Sequence, residues 1–407
     1  MQENKKLNVG AKPNYKRTLF ACYLGFITQA IAANFAPLLF LKFHADYGIT
    51  LSQLASISIV FFITQLVVDA ICAKYVDVIG YRTCIIVAEA TSALGFIGLA
   101  FLPDIMANPL VGVLLGVVVY ATGCGIVEVV CSPIVEATPS EHKEATMSLL
   151  HSFYCWGSVF VIAVSTAFFA LFGLDSWKIL ACIWAIIPLY NIYNFAICPI
   201  EQLNADGSSM TISKLLCTPL FWLTVVLMIS SGASELAMAQ WASAFAESAL
   251  GLTKAVGDLV APCLFAVAMG ICRIFYGKYG MQINLVRFMF WSGVLCLGCY
   301  LLATLVQNPI INLVGCIVCG FSCGIMWPGT LSISAKYLPL GGTAMFAFLA
   351  MAGDCGAALG PVVVGRVAQL FNDDLKCGLL ASSIFPVVLI IAVVVLYLVV
   401  VRQRKAA

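Results

Sequence analysis

The stretch Gly123-Cys124-Gly125-Ile126-Val127-Glu128-Val129-Val130-Cys131-Ser132-Pro133-Ile134-Val135-Glu136-Ala137-Thr138-Pro139 closes a long apolar run that begins near Leu110. One carboxylate, Glu128, lies in its middle. An acid at the centre of a membrane-spanning helix costs roughly 2.5–3.5 kcal/mol by insertion scales, so such a residue marks a functional site by default. Gly123 and Gly125, about one turn earlier, let a neighbouring helix or a ligand approach the backbone, and Pro133 loosens the helix just beyond. The segment reads as an acid set in a crevice beside a deformable helix, which is what a proton-coupled carrier needs.

Composition extends that reading to the whole chain. Of 407 residues, 62% are apolar and 10% charged, far outside the soluble range, so lipid must solvate the fold. Twelve apolar runs can be placed, at 18–42, 51–76, 83–102, 108–135, 145–172, 177–199, 215–246, 255–277, 284–305, 309–335, 343–370 and 377–401. Each is long enough to cross about 30 Å of hydrocarbon as a helix. The expected fold class is therefore all-α, a polytopic membrane protein of twelve transmembrane helices. No polar stretch of domain size remains for a soluble catalytic or nucleic-acid-binding domain. An intramembrane enzyme needs a nucleophile and base, or metal ligands, at helical spacing, and neither HExxH nor a histidine pair occurs. Neither enzyme activity nor a cofactor is expected.

The longest polar connection, Glu201 to Lys214, falls near the midpoint and divides the spans six and six. The expected organisation is a tail (1–17), a six-helix bundle (18–200), a linker (201–214), a second bundle (215–401) and a short tail (402–407). Equal halves invite a search for a repeat. Cys72–Asp77 ends the second span and Tyr276–Gly280 the eighth, at an offset of 204, while Thr146-Met147 and Ala344-Met345 open the fifth and eleventh at an offset of 198. Twelve spans put both termini on one side. That side carries 15 of the lysines and arginines against five on the other, with Arg273 inside a span. Basic residues stay cytoplasmic, so both termini are expected inside the cell, in a multi-pass cell-membrane protein.

The 18 cysteines are scattered through the spans. Cys296/Cys299 and Cys316/Cys319 have CxxC spacing but lie in apolar helices without a nearby histidine, so they read as small packing residues, and no metal site is expected.

At Ala73-Lys74-Tyr75-Val76-Asp77-Val78-Ile79-Gly80-Tyr81-Arg82 the chain resembles the loop signature of the major facilitator superfamily, glycine-x-x-x-aspartate-x-x-glycine-x-arginine. Ala73 stands where the family has glycine. By charge and geometry, Asp77 can meet a helix N-terminus or a basic residue of a neighbouring helix, and Gly80 supplies a tight turn. The resemblance implies two six-helix pseudo-symmetric bundles, a monomer, and a gate on the cytoplasmic side, with Asp77, Gly80 and Arg82 as gate residues. Arg273, one turn before the equivalent position of the second half, joins them as a candidate.

The fourth span, from Gly123 to Val135, also resembles the fourth helix of the fucose:proton symporters, a sugar-carrying branch of that superfamily. The resemblance makes Glu128 the coupling acid. The fifth span, Ser148 to Gly157, is similar to a segment in which the branch places a hydrogen-bonding side chain at the position of His151, with Tyr154 one turn on. In the seventh span, Ser231 to Trp241 looks like the branch's glycine-x-glutamate stretch and offers Glu235, Gln240 and Trp241. In the tenth, Trp327 stands among Gly320, Gly324, Pro328 and Gly329, where the branch has phenylalanine-proline-threonine. Two departures stand out. Asp354 in the eleventh span is not part of the branch pattern and could act as a third titratable group, a cation ligand or the partner of a base. The branch's first-helix aspartate is replaced here by Ala36-Pro37, so either Glu235 or Asp354 does that work or coupling differs.

In the first span, Gln29 and Asn34 offer amide donors and acceptors that suit hydroxylated solutes or bind neighbouring helices together. Asp69 and Glu89 lie within a few turns of the loops, where they could snorkel or pair with basic loop residues. Together these features lead to the expectation of an alternating-access carrier for proton-coupled uptake of a small polar solute, a sugar above all. Export, symport of an organic anion, amino acid or drug, and a sensor that does not transport are the rival readings. Expected partners are the solute, protons and the lipid bilayer.

Overall fold

The computed structural model describes residues 14–203, 209–239, 242, 251, 254–372 and 374–406. Among these, twelve helices are long and apolar enough to cross a membrane, namely Lys16–Leu38, Ser56–Ile79, Tyr81–Ile105, Pro109–Ala137, Lys143–Phe172, Leu174–Ile197, Pro219–Ala239, Val260–Gln282, Leu285–Leu305, Pro309–Tyr337, Gly342–Leu370 and Leu375–Val399. They fall in the expected order. The seventh, expected to run to 246, is described as helix to Ala239.

Local chemistry sets the helix ends. Asn108 accepts from the Leu110 amide at 3.0 Å ahead of Pro109, and Asn308 accepts from the Ile310 amide at 2.9 Å ahead of Pro309. Proline at the first helical position has no N–H to leave orphaned and a backbone already set for the helix, while asparagine caps the next donors. These matching starts open the fourth and tenth spans, a further trace of duplication. The first span ends at Leu38 rather than near 42, because Phe40–Tyr47 forms a separate short helix stopped by Gly48 at φ +64°. Its charges belong at the membrane surface, where Lys42 pairs with Asp46 at 2.8 Å and with Asp175.

The tenth span is broken into Pro309–Cys323 and Met326–Tyr337. In an unbroken helix the Gly324 carbonyl would accept from the amide of residue 328, which is proline and has none. Tight packing elsewhere rests on small residues. The seventh and eleventh spans touch backbone to backbone, and a Cβ at Gly356 would lie 2.9 Å from Ile229 Cα. Lipid-facing stripes follow the helical repeat: Ile59, Ile63, Val67 and Ile71 are all exposed at successive turns of the second span.

Three apolar cores show how the halves meet. One unites both at the terminus-bearing end, running from Cys22, Val76 and Ile134 to Phe221, Leu338 and Phe346. A second lies almost wholly in the second half, around Phe265, Tyr300 and Leu389. The third, around Phe43, Phe96 and Trp177, belongs to the first half towards the other end. Polar contacts repeat the pattern. Thr343, at the start of the eleventh span, donates to Asp77 at 2.5 Å and shares a contact with the Tyr81 hydroxyl, while Lys336 and Tyr276 donate to Glu144 at 2.7 and 3.1 Å. Among the described residues, hydrogen bonds between the halves fall at this end or at mid-depth.

Asp77 thus meets a helix N-terminus, as its position in the loop signature suggested. Gly80 adopts φ +92°, a region that a side chain would disfavour. Arg82 does something else: it donates to the carbonyls of Phe195, Ala196 and Cys198, at 2.5, 2.9 and 2.8 Å, and so holds the end of the sixth span within its own half. A cation at a helix C-terminus is favoured by the free carbonyls there.

Candidate functional site

A cavity of about 120 Å³ lies at mid-depth between the halves. The first half lines it with Phe26, Gln29, Phe61, Phe62, Gln65, Glu128, His151 and Tyr154, the second with Glu235, Arg273, Trp327 and Asp354. A larger cleft, about 500 Å³, lies at the terminus-bearing surface beside the Glu144 and Lys336 pair and is lined mainly by loop charges. It lies at the joined end of the molecule, among the loops rather than between the halves at mid-depth.

Glu128 points into the central cavity because its helix is seated by glycine. A Cβ on Gly125 would lie 2.9 Å from Val68, so the fourth span sits directly on the second. Gln29 then donates to Glu128 Oε2 at 2.6 Å and Gln65 to the same oxygen at 3.3 Å. Among the described residues Glu128 has no ion-pair partner. Its neighbours are neutral donors, which can hold the acid in either protonation state.

Arg273 is the best-connected side chain of the opposite wall. Its Nε donates to the Gly324 carbonyl at 2.9 Å, the acceptor that Pro328 leaves without a helical partner. Its Nη1 donates to the His151 carbonyl at 2.7 Å and to Cys155 Sγ at 3.0 Å, and its Nη2 stands 3.9 Å from Glu235. Expected at the gate, Arg273 lies instead in the cavity wall, 3% exposed, where it bridges the halves and supports the helix break. His151 holds its imidazole edge-on to Phe26, with ring centroids 4.8 Å apart, and its Nε2 stands 3.4 Å from Ser132 Oγ.

The remaining candidates divide. Trp327 lines the cavity with its ring against Gly353, and Tyr154, Gln29 and Asp354 line it too. Asn34 does not: its amide donates to Ala30 O at 2.8 Å and to Ser158 at 3.1 Å, stitching the first span to the fifth. Gln240 and Trp241 lie outside the described residues. Glu89, expected near the loops, is fully buried and accepts from Thr28 at 3.1 Å and Asn191 at 2.7 Å. Asp69 is the larger correction. It is 1% exposed, neither carboxylate oxygen has a hydrogen-bond partner, and no ion pair reaches it among the described residues. Gln65, one turn before Asp69 on the second span, is the cavity residue that the sequence reading passed over, and Asp69 is one it placed at the loops.

The family follows from the sequence itself. The model of the Major Facilitator Superfamily matches residues 21–361. The chain belongs to the major facilitator superfamily. Its fold matches solved members closely although the sequences have diverged. FucP in the outward conformation superposes with a TM-score of 0.78 at 16% identity, covering 93% of this chain and 97% of that one. A second structure, of the Escherichia coli fucose:proton symporter FucP, gives 0.75 at 16% identity with coverage of 93% and 98%. XylE, a proton:xylose symporter bound to 6-bromo-6-deoxy-D-glucose, gives 0.80 at 11% identity with coverage of 94% and 95%. No curated protein sequence matches the chain. It is a multi-pass membrane transporter, not an enzyme.

Proposed function

We propose that this transporter takes up a small polyhydroxylated solute, a sugar, in symport with a proton that Glu128 carries. The observation that supports this most is the setting of Glu128: a buried acid in the central cavity, held by two amides and, among the described residues, by no cation. A carboxyl crossing low-dielectric surroundings does so more cheaply neutral than charged. Protonated, Glu128 can donate to a solute hydroxyl, so proton and solute favour each other's binding. Glu235 and Asp354 are the further acids for coupling.

The sugar reading rests on the kinds of group around the cavity. Sugars are held by amides and carboxylates on their hydroxyls and by aromatic rings against their apolar faces. Gln29, Glu128, His151, Tyr154, Glu235 and Trp327 offer that set. FucP and XylE, by their descriptions sugar:proton symporters, share the fold. An organic anion fits less well, because the one arginine of the wall already spends its donors on Gly324, His151, Cys155 and Glu235.

The bundles 18–200 and 215–401, joined by 201–214, move as two bodies. With the termini cytoplasmic, the joined end is the closed cytoplasmic gate: Asp77 holds it through Thr343, Gly80 makes the turn, and Arg82 steadies it by fixing the end of the sixth span. A cavity of about 120 Å³ is small beside the roughly 300–1,000 Å³ usual for ligand pockets, so the solute enters only as the halves part at the opposite end. Proteoliposomes loaded at alkaline pH and diluted into acidic buffer test the reading. Labelled hexoses, deoxyhexoses and pentoses should accumulate, and a protonophore should abolish it. Competition by amino acids or organic acids but not by sugars overturns the substrate class, and uptake indifferent to the pH gradient overturns the coupling.

A further inference from the structure

The two CxxC pairs of the ninth and tenth spans do not close on themselves. One cysteine from the ninth span, Cys296, meets Cys319 and Cys323, which lie one turn apart on the same face of the tenth. Their sulfurs form a nearly equilateral triangle with sides of 3.8, 3.9 and 4.0 Å. All three side chains are fully buried. A disulfide, whose sulfurs bond at about 2.05 Å, is not formed. The centre of such a triangle stands about 2.3 Å from each corner, which is the length of a thiolate bond to a soft metal ion.

We propose that Cys296, Cys319 and Cys323 form a trigonal site for a soft monovalent cation, copper(I) being the best match. Softness follows from the ligands: the group contains sulfur alone, without imidazole or carboxylate, and thiolates select copper(I) over hard ions. Structural zinc takes four ligands, and this group supplies three. The cysteines bind as thiolates, so loading the site releases their thiol protons.

Position gives the site a consequence. Gly324, the residue after Cys323, gives its carbonyl to Arg273 of the central cavity wall, which ties the triangle to that wall through the backbone. The tenth span also breaks at Gly324. A cation held by the triangle ties the ninth span to the tenth just before that break.

The test uses full-length purified protein in which exposed Cys217 and Cys355 and partly buried Cys182, Cys263 and Cys377 are replaced by serine. It is titrated anaerobically with copper(I) supplied as its bathocuproine disulfonate complex. One equivalent should leave the chelator, and X-ray absorption should find three sulfur neighbours at about 2.3 Å. Removing a ligand should weaken binding by at least the roughly 10–100-fold seen for ligand-supporting groups, so Cys319→Ala and Cys323→Ala should lose it while Cys299→Ala and Cys316→Ala retain it. No transfer from the chelator, two sulfur neighbours, or equal binding by Cys319→Ala overturns the proposal. Should the alanine variants fail to fold, the absorption spectrum of the parent protein decides alone.

Discussion

Replacing Arg273 by leucine strikes the cavity wall where most contacts converge. The change leaves Glu235 without its cation and the Gly324 carbonyl without any donor, since residue 328 has no N–H to give. Breaking a buried ion pair by removing one partner costs about 3–5 kcal/mol. The orphaned carbonyl contributes part of that loss, about 1–3 kcal/mol for an unsatisfied buried acceptor. Pro328→Ala offers that carbonyl a helical partner again. In the Arg273→Leu background it should therefore recover about 1 kcal/mol, the net worth of one hydrogen bond. With Arg273 in place the carbonyl is already satisfied, and the same substitution should recover none of that term. The assay is reversible unfolding in mixed micelles followed by tryptophan fluorescence, run on all four members of the cycle. An identical effect of Pro328→Ala in both backgrounds refutes the link between the helix break and Arg273.

Asp77→Asn turns a charge-assisted bond to Thr343 into a neutral one, a loss of about 1 kcal/mol, so amide exchange at the terminus-bearing ends of the second and eleventh spans should rise about fivefold; unchanged exchange contradicts the gate role. Gly356→Ala forces a methyl onto Ile229 and should destabilise by about 1–3 kcal/mol, whereas Gly365→Ala, with open space around it, should stabilise by about 0.5–1 kcal/mol. Equal melting temperatures for the two glycine variants dispose of the close-packing argument. Asp69→Leu replaces a buried acid whose oxygens have no hydrogen-bond partner with an apolar side chain of similar size and should stabilise by about 1–3 kcal/mol; a lowered melting temperature refutes the claim that the fold leaves this acid unsatisfied.

How much of this was readable from the chain depends on what each residue must touch. The spans, their number and the turn at Gly80 were legible because lipid imposes length and apolarity residue by residue, and because Gly80 acts through local backbone geometry. Glu128, Glu235 and Asp354 stood out since an acid deep in an apolar run has few cheap fates. Asp69 did not, because two turns from a loop an acid can snorkel outward, and only the seating of the second span on Gly125 and the eleventh turns it inward. Asn34 and Gln29 have the same chemistry five residues apart, yet one faces Ser158 and the other Glu128. That choice is made by helix rotation, which composition does not encode. The cysteine triangle was hidden for a related reason: its members come from two helices, and the CxxC spacing pointed to pairs that do not meet.

The central claim is tested most directly by Glu128→Gln in proteoliposomes, with two fluxes measured on the same preparation. Glutamine keeps the shape and can still bond to Gln29 and Gln65 but carries no exchangeable proton. Accumulation driven by a pH gradient should vanish while counterflow exchange of labelled for unlabelled solute continues at near the original rate. Loss of both in equal measure, or accumulation that persists, contradicts the assignment of the proton to this side chain.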